Sequence, residues 1–182
     1  MKQGFVKVAS ATPRIRVADP VYNAQVICEQ AKEAAEHGAK IVVFPELCIT
    51  GYTCNDLFLQ ELLLEKAKEA LLTIAEETGQ LETLFLVGLP VDKDGRLYNV
   101  AAVLYRGRIL GMIPKKNIPM YAEFYEGRHF TPGEETVTEY RLGKQVIPFG
   151  SNLLFRCEEL PELILGCELC EDLWVAEPPS TS

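Results

Sequence analysis

Ile41-Val42-Val43-Phe44-Pro45-Glu46-Leu47 sets four apolar residues in succession, then a proline that ends the run and a carboxylate directly behind it. A short unbroken apolar run reads as a strand covered on both faces, because a half-exposed strand would alternate. The pattern returns in Leu84-Phe85-Leu86-Val87-Gly88-Leu89. Around these runs the period changes. Asp19-Pro20 is a helix-start signal, and Val21, Ala24, Cys28, Ala31 and Ala35 then recur on one helical face that ends near Gly38. From about Asp56 to Thr78, residues Leu59, Leu63, Ala67, Ala70 and Ile74 mark a second helix. With a β-rich stretch at Phe5–Ser10 in front, the order is β-α-β-α-β, which predicts an α/β fold.

Beyond Leu89 the pattern is that of a meander. Asp92-Lys93-Asp94-Gly95 is a turn, and Leu97–Tyr105, Arg106-Gly107 and Arg108–Met112 form a hairpin, so the sheet is expected to be mixed. Residues 113–135 mix aromatics, charges and prolines without a period and predict a long loop or short helical pieces, a kind of segment that is usually functional or disordered. Two short strands are expected at Asn152–Phe155 and Leu163–Cys167, and a disordered tail at Glu177–Ser182. No helix follows to cover the last strand, so the sheet is expected to be interrupted.

The chain has 182 residues, which fits one domain, and its 48% hydrophobic and 24% charged content is that of a globular protein. Eighteen basic against twenty-six acidic residues give a net charge of −8, unsuited to neutralising phosphates or anionic lipid, so no nucleic-acid or membrane partner is expected. No apolar run reaches the roughly 18 residues of a membrane span. Met1-Lys2-Gln3-Gly4 leads into a strand without a signal-peptide core, and the reading is cytoplasmic. The six cysteines (28, 48, 54, 157, 167 and 170) then read as reduced thiols. Cys167 and Cys170 form a C-x2-C pair, but Cys48 and Cys54 have the wrong spacing to complete a zinc site and no histidine is near. Cys28 falls on the core face of its helix.

Three segments place a reactive group just after an expected strand: Glu46 in Phe44-Pro45-Glu46-Leu47, Lys115 in Ile113-Pro114-Lys115, and Cys170 in Cys170-Glu171-Asp172-Leu173-Trp174. Strand ends are where α/β sheets gather ligand-binding groups. Taken singly each has a plain reading, as a capping carboxylate, a solvated lysine or a core cysteine. Together, with Gly51-Tyr52, their order and flanks resemble the nitrilase, or carbon-nitrogen hydrolase, superfamily. A finer resemblance, to the amidase domain of glutamine-dependent NAD synthetases, lies in Cys-Glu-Asp-Leu-Trp and in the loop from Pro114 through Lys116-Asn117-Ile118-Pro119-Met120-Tyr121 to Phe130.

The resemblance implies an α-β-β-α sandwich, incomplete at the C-terminus, over residues 1–182, as the N-terminal part of a glutaminase domain. It implies a Glu46-Lys115-Cys170 triad, with Glu126 as an auxiliary carboxylate and Tyr52, Tyr121 and Glu171 lining a pocket for L-glutamine. No cofactor is expected in this chain. ATP and magnesium belong to the synthetase domain of that family, and no G-x-G-x-x-G or Walker-type loop is present here. The chemistry suits the residues: a thiol as nucleophile, a carboxylate to carry its proton, and an ammonium to favour the thiolate and hold the oxyanion. His129 and Lys116 are given no role. Half a sandwich leaves apolar surface and strand edges, so a homo-oligomer and weak glutaminase activity are expected. The alternatives are a stand-alone amidase or carbamoylase of the same superfamily, and an inactive piece that only self-associates.

Overall fold

A computed structural model describes residues 4–181. Met1–Gln3 of the expected signal-free start and Ser182 of the expected tail lie outside the described residues. The elements are β1 (Val8–Ser10), α1 (Pro20–Glu36), β2 (Ile41–Val43), α2 (Glu61–Glu77), β3 (Leu84–Lys93), β4 (Arg96–Tyr105), β5 (Arg108–Pro114), β6 (Thr138–Leu142), β7 (Gln145–Phe149), β8 (Phe155–Arg156) and β9 (Ile164–Leu165). The first seven-stranded sheet runs β1-β2-β3-β4-β5-β7-β6, and β8 pairs with β9 in a separate ribbon. β1, β2 and β3 are parallel, β3-β4-β5 is an antiparallel meander, and β7 joins β5 in parallel. The mixed α/β sheet is as expected.

Local chemistry accounts for the elements. Asp19 caps α1 by accepting the Tyr22 N–H at 3.1 Å, Pro20 opens the helix, and Gly38 leaves it at φ 80°. Asp94-Gly95 and Arg106-Gly107 take positive φ at both positions, the geometry whose twist matches two-residue hairpins. One face of the sheet carries Val42, Phe85, Val87, Leu89, Val100 and Leu104, covered by Ala24, Ile27 and Ala31 of α1 and Ala67, Leu71 and Ile74 of α2. Ile27, Leu71 and Ile74 are completely buried, each worth about 1.5–3 kcal/mol of transfer free energy.

The opposite face is covered only in part. Ile41, Leu86, Ala101, Val103 and Ile113 meet Leu153, Phe155, Leu163, Leu165 and Leu169 from the ribbon and its flanks. In β2, Ile41 and Val42 are buried on opposite faces, as its apolar run suggests, and Val43 at its end stays 44% exposed, with Val8 of β1 at 63%. Other expectations shift. Helix α2 starts at Glu61, because Tyr52–Leu59 forms 3-10 turns kinked at Asn55, whose φ is 50°. Leu59 and Val21 are exposed rather than facing the core. The hairpin β6-β7 stands where no strand is predicted. The tail is ordered through Thr181, with a 3-10 turn at Pro179–Thr181 and the Ser180 N–H donating to Glu168. Among the described residues no helix is long and apolar enough to cross a membrane.

Candidate active site

Glu46 follows β2 on a turn pressed against β3. Phe44 N–H donates to Leu86 O at 2.9 Å and Ile49 N–H to Gly88 O at 3.1 Å, so the turn continues the sheet and then folds over it. Gly88 makes that approach possible. A Cβ there would lie 2.4 Å from Leu47 N and 2.7 Å from Pro45 O, both backbone atoms.

Lys115 closes β5. Its N–H donates to Asn99 O at 2.8 Å and its carbonyl accepts the Gly133 N–H at 2.7 Å, which fixes the backbone from both sides. The side chain is completely buried and its Nζ donates to Glu46 Oε1 and to Glu126 Oε1, both at 2.7 Å. A buried ammonium needs such partners. Burial works against its charge, yet the hydrogen bonds to Glu126 and Glu46 prevail and hold Lys115 above the usual lysine range.

Glu126 arrives on a 3-10 turn in the 113–135 segment, buried, and also accepts the Tyr52 hydroxyl at 2.7 Å. Burial first, and this bond second, push the Tyr52 hydroxyl well above its ordinary range. The segment is tied down further by Asp56, which accepts from Arg128 at 2.7 and 2.9 Å and meets His129 Nε2 at 2.9 Å. His129 therefore anchors the loop.

Cys170 follows β9 and begins the 3-10 turn Cys170–Leu173. Its backbone is in the left-handed region, at φ 46°, and the residue is exposed, while its neighbour Leu169 is buried. This turn is latched to the lysine segment by Asp172. Its carboxylate accepts the Leu169 N–H at 3.2 Å, the Lys116 N–H at 3.1 Å, the Asn117 N–H at 2.7 Å and Asn117 Nδ2 at 2.9 Å. The charges of Glu46, Lys115 and Glu126 all act on the Cys170 thiol. The outcome differs from the simple expectation that lysine activates it. Desolvation, then Glu46 and Glu126, outweigh Lys115, and the thiol is pushed up.

The structure thus joins Glu46, Lys115, Glu126 and Tyr52 in one hydrogen-bonded cluster, whose charges reach Cys170 while no hydrogen bond among the described residues ties its thiol to them. Tyr121 and Glu171 pair with each other at its outer rim, the Tyr121 hydroxyl donating to Glu171 Oε2 at 2.7 Å. Two residues escape the sequence reading. Asn99 donates to Glu46 at 2.6 Å, and its only signal is a polar residue inside the apolar run of β4. Asp172 lies in a quoted motif, but its role rests on contacts some 55 residues away in sequence. All six cysteines are free. Burial pushes Cys48 and Cys167 up to about 12 and Cys28 to about 11, the behaviour of inert core thiols. Lys116 pairs with Glu135 at 2.5 Å at the surface. A cavity of about 290 Å³ at the β3-β4 turn and a groove of about 430 Å³ between α1 and α2 lie away from this cluster, and the chemistry points to the cluster instead.

Carboxylate and lysine thus stand past strands of the mixed sheet and the cysteine past the ribbon, in the order that the resemblance to the carbon-nitrogen hydrolases implies. The carbon-nitrogen hydrolase family model matches residues 7–179, and the chain belongs to that family. Within it, the chain is 40% identical over 179 residues to the glutamine-dependent NAD(+) synthetase of Mycobacterium tuberculosis (strain ATCC 25618 / H37Rv), covering 98% of this chain and 26% of that protein. The crystal structure of a glutamine-dependent NAD(+) synthetase from Cytophaga hutchinsonii superposes with a TM-score of 0.84 at 29% identity, over 91% of this chain and 28% of that one. An amidase from Nesterenkonia sp., with a TM-score of 0.60 at 24% identity over 79% of this chain and 54% of that one, shares the fold. The chain spans about a quarter of the length of the curated relatives it matches.

Proposed function

We propose that this site hydrolyses the side-chain amide of L-glutamine through a thioester on Cys170. The observation that carries the reading is a completely buried lysine shared by two carboxylates at 2.7 Å, whose charges act on an exposed, left-handed cysteine. Glu46 takes the thiol proton as sulfur bonds to the amide carbon, and Lys115 holds the oxyanion that forms. Collapse of this intermediate breaks the C–N bond, and the proton on Glu46 goes to the departing ammonia. Water, deprotonated by Glu46, then attacks the thioester and releases glutamate and the thiol. A raised thiol fits this sequence, because the proton then leaves only when a base accepts it in the reaction.

Glutamine is favoured over a simpler amide by the Tyr121–Glu171 pair, which sets a carboxylate one residue from the nucleophile where an α-ammonium group could be met. The names of the relatives, glutamine-dependent NAD(+) synthetases, support NAD synthesis as the destination of the ammonia, which the resemblance makes the amidation of nicotinic acid adenine dinucleotide by an ATP-using synthetase domain. The test is ammonia release from glutamine by the purified chain and by Cys170→Ala and Lys115→Met. The expected rate is low but lost in Cys170→Ala, and reduced on the order of a hundredfold or more in Lys115→Met. Equal rates in all three proteins, or a preference for a small aliphatic amide over glutamine, would overturn the reading.

A further inference from the structure

Asn99 has the odd hydrogen-bonding balance of the cluster. It is completely buried midway along the sheet, with apolar Val100 to Leu104 following it. Its Nδ2 donates to Glu46 Oε1 at 2.6 Å and reaches Glu126 Oε2 at 3.4 Å, while its Oδ1 is buried without a partner. Turning the amide over would set that oxygen against two carboxylates and lose both donors. The unpaired oxygen is therefore the cost of presenting both N–H bonds to the acidic pair.

The four carboxylate oxygens are not equivalent. Glu126 Oε1 accepts from Lys115 and from Tyr52, and Glu126 Oε2 faces Asn99. Glu46 Oε1 accepts from both Lys115 and Asn99. Among the described residues no hydrogen bond reaches Glu46 Oε2, and the Glu46 side chain keeps 17% exposure against 4% for Glu126. We propose that Asn99 is a positioning residue that divides the two carboxylates into a fixed charge and a proton carrier. By occupying Oε1 of Glu46 and bracing Glu126, it leaves Glu46 Oε2 to receive the Cys170 proton. The S–H bond breaks as the Oε2–H bond forms, and the same proton later passes to the leaving nitrogen. The inference rests on the amide-hydrolase reading for its last step, whereas the effect of the Glu46 charge on the thiol does not need it.

The experiment compares the parent chain with Asn99→Leu, close in size and without a donor, and with Asn99→Asp, which donates only when protonated. Two readouts are taken from each: hydrolysis of glutamine, and the pH dependence of Cys170 alkylation by iodoacetamide, resolved by peptide mass. The titratable groups facing Glu46 are Lys115, Glu126, Tyr52 and Cys170. In Asn99→Leu, kcat is expected to fall about a hundredfold with KM within a few-fold, the loss typical of a misplaced catalytic group. The alkylation midpoint of Cys170 should move down, because Glu46 swings away and Lys115 remains. General damage would instead slow both. Asn99→Asp should regain hydrolysis relative to Asn99→Leu as pH falls from 8 to 5, which keeps the test decisive if the leucine variant fails to fold. Unchanged kcat in both variants, or lost activity with an unmoved alkylation midpoint, would overturn the proposal. A moved midpoint in a chain whose parent hydrolyses no amide would sink the glutaminase reading and leave the positioning role standing.

Discussion

Cys170 holds its place against backbone preference. A non-glycine residue at φ 46° costs about 1–2 kcal/mol, and the turn that enforces it is latched by the four donors on Asp172. Glycine adopts this conformation without strain and alanine does not. Cys170→Gly is therefore expected to melt about 2–4 °C above Cys170→Ala, from a difference of about 1 kcal/mol, with neither variant hydrolysing glutamine. A thermal scan showing the alanine variant equal or higher would mean that the turn is unstrained. In the structure Lys115 directly follows β5, while Glu46 lies three residues past β2 and Cys170 five past β9. In the sequence Glu46, Lys115 and Cys170 were singled out by their order and flanks after expected strands. Asn99 was not, since a polar residue in a β run reads as an outward position. The direction of the thiol shift was hidden too. It depends first on desolvation of the thiol and then on two carboxylates, one of which comes from a loop without sequence periodicity.

Elements were legible where their burial had a single period. Helix α1 and the meander β3-β4-β5 fall where capping, apolar runs and turn pairs put them. The start of α2 did not, because the apolar residues before Glu61 continue a helical rhythm that Asn55 breaks with a positive φ. The hairpin β6-β7 does alternate, with Tyr140, Leu142, Ile147 and Phe149 buried, but Pro148 within β7 argues against a strand in sequence. The packing of the Glu46 turn on β3 carries the sharpest element-scale consequence. In Gly88→Ala a methyl group meets backbone at 2.4 Å, so the turn must move. We predict a loss of about 1–3 kcal/mol in urea unfolding, and a roughly hundredfold loss in ammonia release because Glu46 moves with the turn. Retention of full activity would show that Glu46 is not held through this contact.

The molecule as a whole is one helical layer, one mixed sheet and a two-stranded ribbon, with the buried thiols Cys28 and Cys48 on the helical side of that sheet and the half-buried Cys167 on the other. Those thiols make its stability depend on alkaline pH. Cys48, with 1% exposure, is pushed by burial to about 12, against about 8.5 for a thiol in the unfolded chain. The folded state keeps a proton that the unfolded state loses. The contribution is thus complete below about pH 8.5 and is lost as pH rises towards 12, at about 1.4 kcal/mol per pH unit for this group. Cys28 and Cys167 are shifted in the same direction and add to the slope, and Lys115 adds to it only above about pH 10.4. Urea midpoints should fall steadily from pH 8 to pH 10.5, and fall less in Cys48→Val. A flat midpoint across that range would mean that the thiols titrate freely in the folded protein.

The central claim is that Cys170 is the atom that bonds to the substrate. A glutamine analogue carrying a diazoketone in place of the amide alkylates an attacking thiol and stays attached, whether or not turnover is fast. Peptide mass analysis after incubation should find one equivalent on Cys170, its formation slowed by excess glutamine and abolished in Cys170→Ala. Labelling of Cys157 or Cys167 instead, or labelling of Cys170 that glutamine does not slow, would contradict the account.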